Sequence, residues 1–259
     1  MIGYCPLASG SKGNCTYIGT QETKILLDAG ISGRATKQKL GSLGIDVEAI
    51  DAILITHEHT DHIQGLRVLA LRQNIPIFCN SETAKAICSY LGKAPTLNIF
   101  STGESFTFRD LQIHPFTVQH DCVDPVAFTI QTPFAKLGFC TDLGFVSSLV
   151  RQHLQGCHYL YLEANHQPSM VHACSRPAYY KQRVLSRSGH LSNEECAQLI
   201  TDIYHPELKH IYLAHLSSEC NHPQVAIETV SNALKTHNPS LPVAIALQDQ
   251  PSSPIHFLS

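Results

Sequence analysis

Ile53-Leu54-Ile55-Thr56-His57-Glu58-His59-Thr60-Asp61-His62 is the stretch on which the reading of this chain turns. A short apolar run delivers three imidazoles and an aspartate, and a helix is predicted to begin directly after them. Neutral imidazole and carboxylate are the donors that borderline and hard divalent cations take. Packing them so densely into a soluble core costs free energy unless something compensates them. A solvated loop would scatter such residues along the chain. The block therefore reads as a metal site at the end of a strand.

The surrounding chain repeats this grammar. Upstream, Lys24-Ile25-Leu26-Leu27 reads as a buried strand ending on Asp28, and residues 34–43 carry helical spacing closed by Gly44. Ser9-Gly10-Ser11-Lys12-Gly13-Asn14-Cys15 is rich in turn formers. It reads either as a tight hairpin or as backbone lining the site. Downstream, Ile63, Leu66, Leu69 and Ala70 have the spacing of one amphipathic helix. Residues 74–79 read as a short strand whose Pro76 suggests a sheet edge, and 81–91 as a helix stopped by Gly92. From 95 to 142 the pattern turns to β, with His120 following Phe116-Thr117-Val118 and Asp142 following Gly138-Phe139-Cys140-Thr141. Strand 159–163 leads into Asn165-His166. A capping box at Ser192-Asn193-Glu194-Glu195 opens a helix through Ile203. Strand 210–214 delivers His215, a helix follows over 223–234, and 243–246 reads as the last strand. The alternation of strand and helix in each half predicts two similar α/β layers face to face.

Composition narrows the class. At 259 residues the chain can bury a sizeable core and falls within the range of one large domain. A net charge of −3 supplies no global basic field for nucleic acid, which leaves only local patches for that purpose. No apolar run approaches the roughly 20 residues that span a bilayer. Met1-Ile2-Gly3-Tyr4-Cys5 lacks the basic and apolar regions of a signal peptide. Ten cysteines in such a chain are expected to be reduced thiols of a cytoplasmic protein, and the absence of any CxxC pair speaks against a structural zinc-cysteine site. Cys15, Cys122 and Cys140 lie near the candidate donors and are expected to pack as small buried residues.

Asp28, the 57–62 block, His120, Asp142 and His215 thus share one arrangement, an apolar strand followed at once by Asp or His. If these strand ends meet, they assemble five imidazoles and up to three carboxylates. That exceeds what one tetrahedral zinc takes and suits two adjacent cations.

The pattern His57-x-His59-x-Asp61-His62 with Asp28, His120, Asp142 and His215 resembles the metallo-β-lactamase-fold superfamily, and the match runs in order over nearly the whole chain. The resemblance implies an α/β fold, a four-layer αββα sandwich with two mixed sheets face to face and helices outside. It implies that His57, His59 and His120 hold a first metal. Asp61, His62 and His215 then hold a second, Asp142 bridges the two, and Asp28 orients a ligand from behind. A narrower similarity, to the WalJ/YycJ exonuclease-like group, is carried by the stretch 7–15 and by Gln119-His120-Asp121, Thr141-Asp142-Leu143-Gly144, Glu163-Ala164-Asn165-His166 and Ser188-Gly189-His190-Leu191-Ser192-Asn193. That group carries an acidic residue after the Asn-His, where this chain has Gln167.

The expected chemistry is metal-assisted hydrolysis. Paired cations lower the pKa of a shared water towards neutrality, giving hydroxide, and clamp the oxygen under attack. Asp61 and Asp142 hold the pair, and His190 or His166 is expected to protonate the leaving group. A His-rich set favours Zn²⁺, while Mn²⁺ suits a carboxylate-bridged site. Residues 167–191 carry Arg176, Lys181, Arg183 and Arg187 with no acid, and read either as a phosphate-binding arch over the site or as a solvated loop. Only 72 residues separate Asp142 from His215, too few for a β-CASP insertion, so 1–259 is expected to be a single domain. The leading function is a phosphodiesterase or 5′-exonuclease on DNA or RNA. The alternative is a small-molecule hydrolase acting on a thioester, lactam or cyclic phosphate. A binding module with a decayed site is disfavoured by the complete donor set.

Overall fold

In the computed structural model, which describes residues 1–257, two seven-stranded sheets lie face to face. The first is built from β1 (Gly3–Ala8), β2 (Cys15–Gly19), β3 (Lys24–Leu27), β4 (Ala52–Leu54), β5 (Ile77–Cys79), β6 (Leu97–Ile99) and, from the far end of the chain, β14 (Ile255–His256). The second holds β7 (Phe106–Phe108), β8 (Leu111–Thr117), β9 (Val126–Gln131), β10 (Lys136–Cys140), β11 (Tyr159–Glu163), β12 (His210–Ala214) and β13 (Val243–Ile245). Each sheet begins as an antiparallel meander and continues as parallel strands, β3 to β6 in one and β10 to β13 in the other. The parallel connections carry helices: α1 (Gly33–Ser42), α2 (Thr60–Ile63), α3 (Leu66–Leu69), α4 (Ser81–Leu91), α5 (Ser148–Leu154), α6 (Pro168–Ala173), α7 (Ala178–Val184), α8 (Asn193–Ile203) and α9 (Pro223–Leu234).

Side-chain alternation along the strands sorts the core into three apolar layers. Leu26, Ile53 and Ile55 face α1, α3 and α4 through Leu40, Leu66 and Ile87. Leu160, Leu162, Ile211 and Leu213 pack with Ile200 of α8 and Val230 of α9. The residues between them in sequence, Ile25, Leu54, Tyr159, Tyr161 and Tyr212, meet in the space between the sheets. Strands buried on both faces need two neighbours each, and the result is the αββα order of layers.

Three local expectations change, and one strand was not foreseen. The single helix expected over 63–70 is instead two short ones, Thr60–Ile63 and Leu66–Leu69, because Gly65 breaks the run where its amide donates to the Ala29 carbonyl at 2.7 Å. Strand β5 lies between β4 and β6 and not at an edge. Pro76 precedes its first residue, so the missing N–H costs the ladder nothing, and its carbonyl still accepts from Ile53. Residues 167–191 are largely helical, as α6 and α7. The two-residue strand β14 was too short to leave a pattern, yet it covers the edge of β1.

Candidate metal centre

The candidate residues meet because parallel strands present their C-terminal ends along one edge, where α/β folds place their sites. Asp28 follows β3, the 57–62 block follows β4, His120 follows β8, Asp142 follows β10 and His215 follows β12. Asp28, Asp142 and His215 all have positive φ, at 60°, 57° and 54°. Non-glycine residues in that region are uncommon, and here the sharp turn swings a side chain inward off a strand end. Asp28 is anchored by its own amide to the Leu54 carbonyl. The His215 amide donates to Ser9 Oγ at 2.9 Å, and Ser9 Oγ also accepts from Tyr161.

Four overlapping donor groups form among the described residues: the two triads that the sequence pattern suggests, a third of His57, His62 and Asp142, and a tetrad of Asp142, Glu163, His190 and His215. The donor atoms of His57, His59 and His120 lie within 4.8 Å of one another, as do those of Asp61, His62 and His215. Asp142 stands between them. Its Oδ2 is 3.3 Å from His62 Nε2, and its Oδ1 is 3.5 Å from His215 Nε2 and 3.9 Å from His120 Nε2. Asp61 Oδ2 lies 3.7 Å from His62 Nε2 and 3.6 Å from His215 Nε2.

In His57, His62, His120 and His215 a partner behind the ring engages Nδ1, which leaves Nε2 on the side of the centre. His62 Nδ1 donates to Asp28 Oδ2 at 2.8 Å, and His120 Nδ1 to the Gly189 carbonyl at 3.0 Å. His57 Nδ1 lies 3.0 Å from Thr56 Oγ1, and His215 Nδ1 lies 3.3 Å from Glu163 Oε1. His57 Nε2, His215 Nε2 and Asp142 Oδ2 are buried with no hydrogen-bond partner. Buried lone pairs left unpaired in this way are costly, and a divalent cation is the group that would satisfy them. The donor set fits two such ions.

Charge points the same way. Burial opposes ionisation of Asp142, yet the neighbouring His215 and His62 hold its carboxyl well below the ordinary range. Burial opposes protonation of His62 and His215, but Asp28 and Asp142 hold the first well above the ordinary imidazole value, and Asp142 with Asp61 and Glu163 pushes the second up to about 10. His57 is driven well below that value by burial and by the imidazoles around it. Asp61, Asp142 and Glu163 are all held below the ordinary carboxyl range, and the imidazoles offset this negative charge only when protonated, whereas bound cations offset it with neutral imidazoles as ligands.

Sequence reading missed two residues at the centre. Glu163, the last residue of β11, is fully buried and accepts from the Leu143 amide at 2.9 Å through Oε2. Its Oε1 lies 2.7 Å from Nδ1 of His190, which brings His190 to 3.7 Å from Asp142 Oδ1. An acid at a strand end was the available signal. Asn14 Nδ2 lies 3.1 Å from His62 Nε2 and 3.4 Å from Asp61 Oδ2, and the Asn14 amide donates to the Asp61 carbonyl. The 9–15 turn therefore lines the site.

His166 is buried, bridges to Ser192 through its backbone and belongs to none of the donor groups. Nor do Cys15, Cys122 and Cys140, whose thiols burial pushes up, away from the thiolate; Cys15 and Cys140 are buried as expected, whereas Cys122 is only half-buried. The basic segment is largely helical, and two of its four cations meet carboxylates. Arg183 of α7 pairs with Asp121 at 2.5 Å and 3.1 Å, Arg176 pairs with Glu219, and Arg187 lies over the Phe145 ring.

Residues 23–215 match the family model described as a beta-lactamase superfamily domain. The chain is 39% identical over 236 residues to Exodeoxyribonuclease YycJ of Bacillus anthracis, covering 90% of this chain and 89% of that protein. It is 38% identical to Exodeoxyribonuclease WalJ of Streptococcus pneumoniae, covering 89% and 87%. Its fold is similar to that of the metallo-beta-lactamase fold protein YhfI from Bacillus subtilis, with a TM-score of 0.71 at 16% identity over 96% of this chain and 99% of that one. The chain belongs to the beta-lactamase superfamily, as a metal-dependent hydrolase of the metallo-β-lactamase fold.

Proposed function

We propose that this protein is an exodeoxyribonuclease of the 5′ type that works with two divalent cations, Zn²⁺ or Mn²⁺. The observation that carries the reading is the pair of donor triads meeting at buried Asp142, in a chain so similar to proteins named exodeoxyribonucleases. His57, His59 and His120 would hold one cation and Asp61, His62 and His215 the other, with Asp142 shared. Bound there, the cations would supply a water acidic enough to attack a phosphodiester near neutral pH and positive charge against the phosphate. Asp28 fixes the tautomer of His62, so that Nε2 is the ligand nitrogen. Glu163 does the same for His190, engaging Nδ1 and leaving Nε2 to carry the proton for the leaving oxygen. His166, which belongs to none of the donor groups among the described residues, is given no part in this scheme.

Residues 1–259 act as one domain in this reading, with no β-CASP insertion. Ten unpaired cysteines support a reducing, cytoplasmic setting. No helix among the described residues is long and apolar enough to cross a membrane.

Protein reconstituted with Mn²⁺ or Zn²⁺ should release nucleotides from 5′-labelled single- or double-stranded DNA, and His59→Ala or Asp142→Ala should abolish release. Absence of any cleavage, together with turnover of a thioester, lactam or cyclic phosphate, would overturn the nuclease reading. Elemental analysis should find two metal ions per chain.

A further inference from the structure

We infer that a cleft beside the metal centre is a nucleotide subsite, in which Phe145 and Arg187 form a stacking surface for a base of the bound strand. This rests on the nuclease reading above. A cavity of about 370 Å³ opens between the loop that leaves Asp142 and the loop that arrives at His190. Gly144 and Phe145 line it from the first loop, Leu185 and Arg187 from the second, and Arg151 from α5.

The two walls are extensions of the site itself. Phe145 stands three residues after Asp142, and Arg187 three before His190. The backbone of Phe145 is therefore within about 11 Å of that of Asp142, and the backbone of Arg187 within about 11 Å of that of His190. A strand with its phosphate at Asp142 reaches the cavity within a few nucleotides. The walls are also locked together. A Cβ on Gly144 would come within 2.2 Å of the Arg187 carbonyl group, so the absence of a side chain is what lets the loops touch.

The chemistry of the lining suits a nucleotide. The Arg187 guanidinium lies 4.1 Å over the Phe145 ring, a planar aromatic and cationic surface. Arg151, Arg176 and Arg183 each meet a carboxylate, at Asp202, Glu219 and Asp121, whereas Arg187 meets none among the described residues. Its charge is free for a phosphate. Glu195 also borders the cavity, but its Oε2 is bound to the Ser192 amide and hydroxyl at the start of α8. Leu185 exposes 38% of its surface beside this lining. Every base has a π-face, so the subsite would bind without regard to sequence, as an exonuclease requires.

The test compares Arg187→Ala and Phe145→Leu with the wild-type metal-loaded enzyme on a single-stranded oligodeoxynucleotide and on bis(p-nitrophenyl) phosphate, which is too small to span both sites. The KM for the oligonucleotide should rise about ten-fold more than the KM for the small diester, with kcat for the oligonucleotide changing least. Arg187→Lys, which keeps the charge and loses the plane, should give an intermediate rise. Equal effects on both substrates would overturn the subsite, because Arg187 would then be acting through the centre. Oligonucleotide kinetics like the wild type in both variants would overturn it while leaving the nuclease reading intact. A wild-type enzyme that hydrolyses the small diester but no DNA would overturn that reading and the subsite with it.

Discussion

Glu163 Oε1 lies 2.7 Å from His190 Nδ1, and the same oxygen is 3.3 Å from Nδ1 of His215. One buried carboxylate thus contacts both His190, the proton carrier proposed above, and His215, a candidate metal ligand. Glu163→Gln keeps the shape and removes the charge. We expect kcat to fall by roughly 10- to 100-fold with metal content held near the wild-type value. His190→Ala should cost roughly 100-fold or more in kcat while leaving the protein folded by circular dichroism.

Asp28 stands behind His62 as Glu163 stands behind His190. Asp28→Ala should weaken binding at the second donor triad by about 10- to 100-fold, measured by competition with a chromophoric chelator. Dialysis of the wild type against EDTA should remove activity and lower the melting temperature, and Mn²⁺ or Zn²⁺ should restore both. The gain in melting temperature on adding metal should be smaller in Asp28→Ala at equal metal concentration.

Gly144 tests how tightly the loops around the centre are held. The Cβ of Gly144→Ala would meet the Arg187–Ser188 backbone at 2.2–2.6 Å. The loop must shift, and with it Gly189, whose carbonyl accepts from His120, and His190. Misplacing such groups by about 1 Å should cost about 100-fold in kcat. Urea melts alongside will separate this from unfolding, since a variant that has merely unfolded would lose its cooperative transition.

His210 predicts a pH dependence away from the centre. Its Nδ1 is buried without a partner, and burial pushes its pKa down to about 4. The unfolded chain, with a pKa of about 6.5, takes up the proton first as pH falls. The stability from this group is therefore complete above about pH 6.5 and is lost progressively towards pH 4. Between pH 7.5 and 5 the loss is about 2 kcal/mol. His210→Phe should flatten the decline of the urea midpoint over that interval. A slope unchanged from the wild type would refute the assignment.

The sheets and the donors of the centre were legible because both depend on local pattern. Doubly buried strands write continuous apolar runs, and Ile53-Leu54-Ile55 and Tyr159-Leu160-Tyr161-Leu162 send alternate side chains to the two layers they contact. Asp and His placed where such runs stop are conspicuous, because a polar group there needs a partner. The capping box at Ser192 and the left-handed Gly92 after α4 were equally local.

Pairing across distance was not local. Nothing in the periodicity separates His190 from His166, and the difference between them is a hydrogen bond to Glu163 across 27 residues of chain. Asn14 reaches His62 across 48, and Arg183 finds Asp121 across 62, which leaves an apparently acid-free basic segment partly compensated. The amino-acid sequence by itself determined the layers and most of the candidate donors, Glu163 excepted, since burial and periodicity act on neighbouring residues. Tertiary structure alone decided which polar group faces which, because a hydrogen bond is directional and short, and only the closed fold brings its two ends within 3 Å.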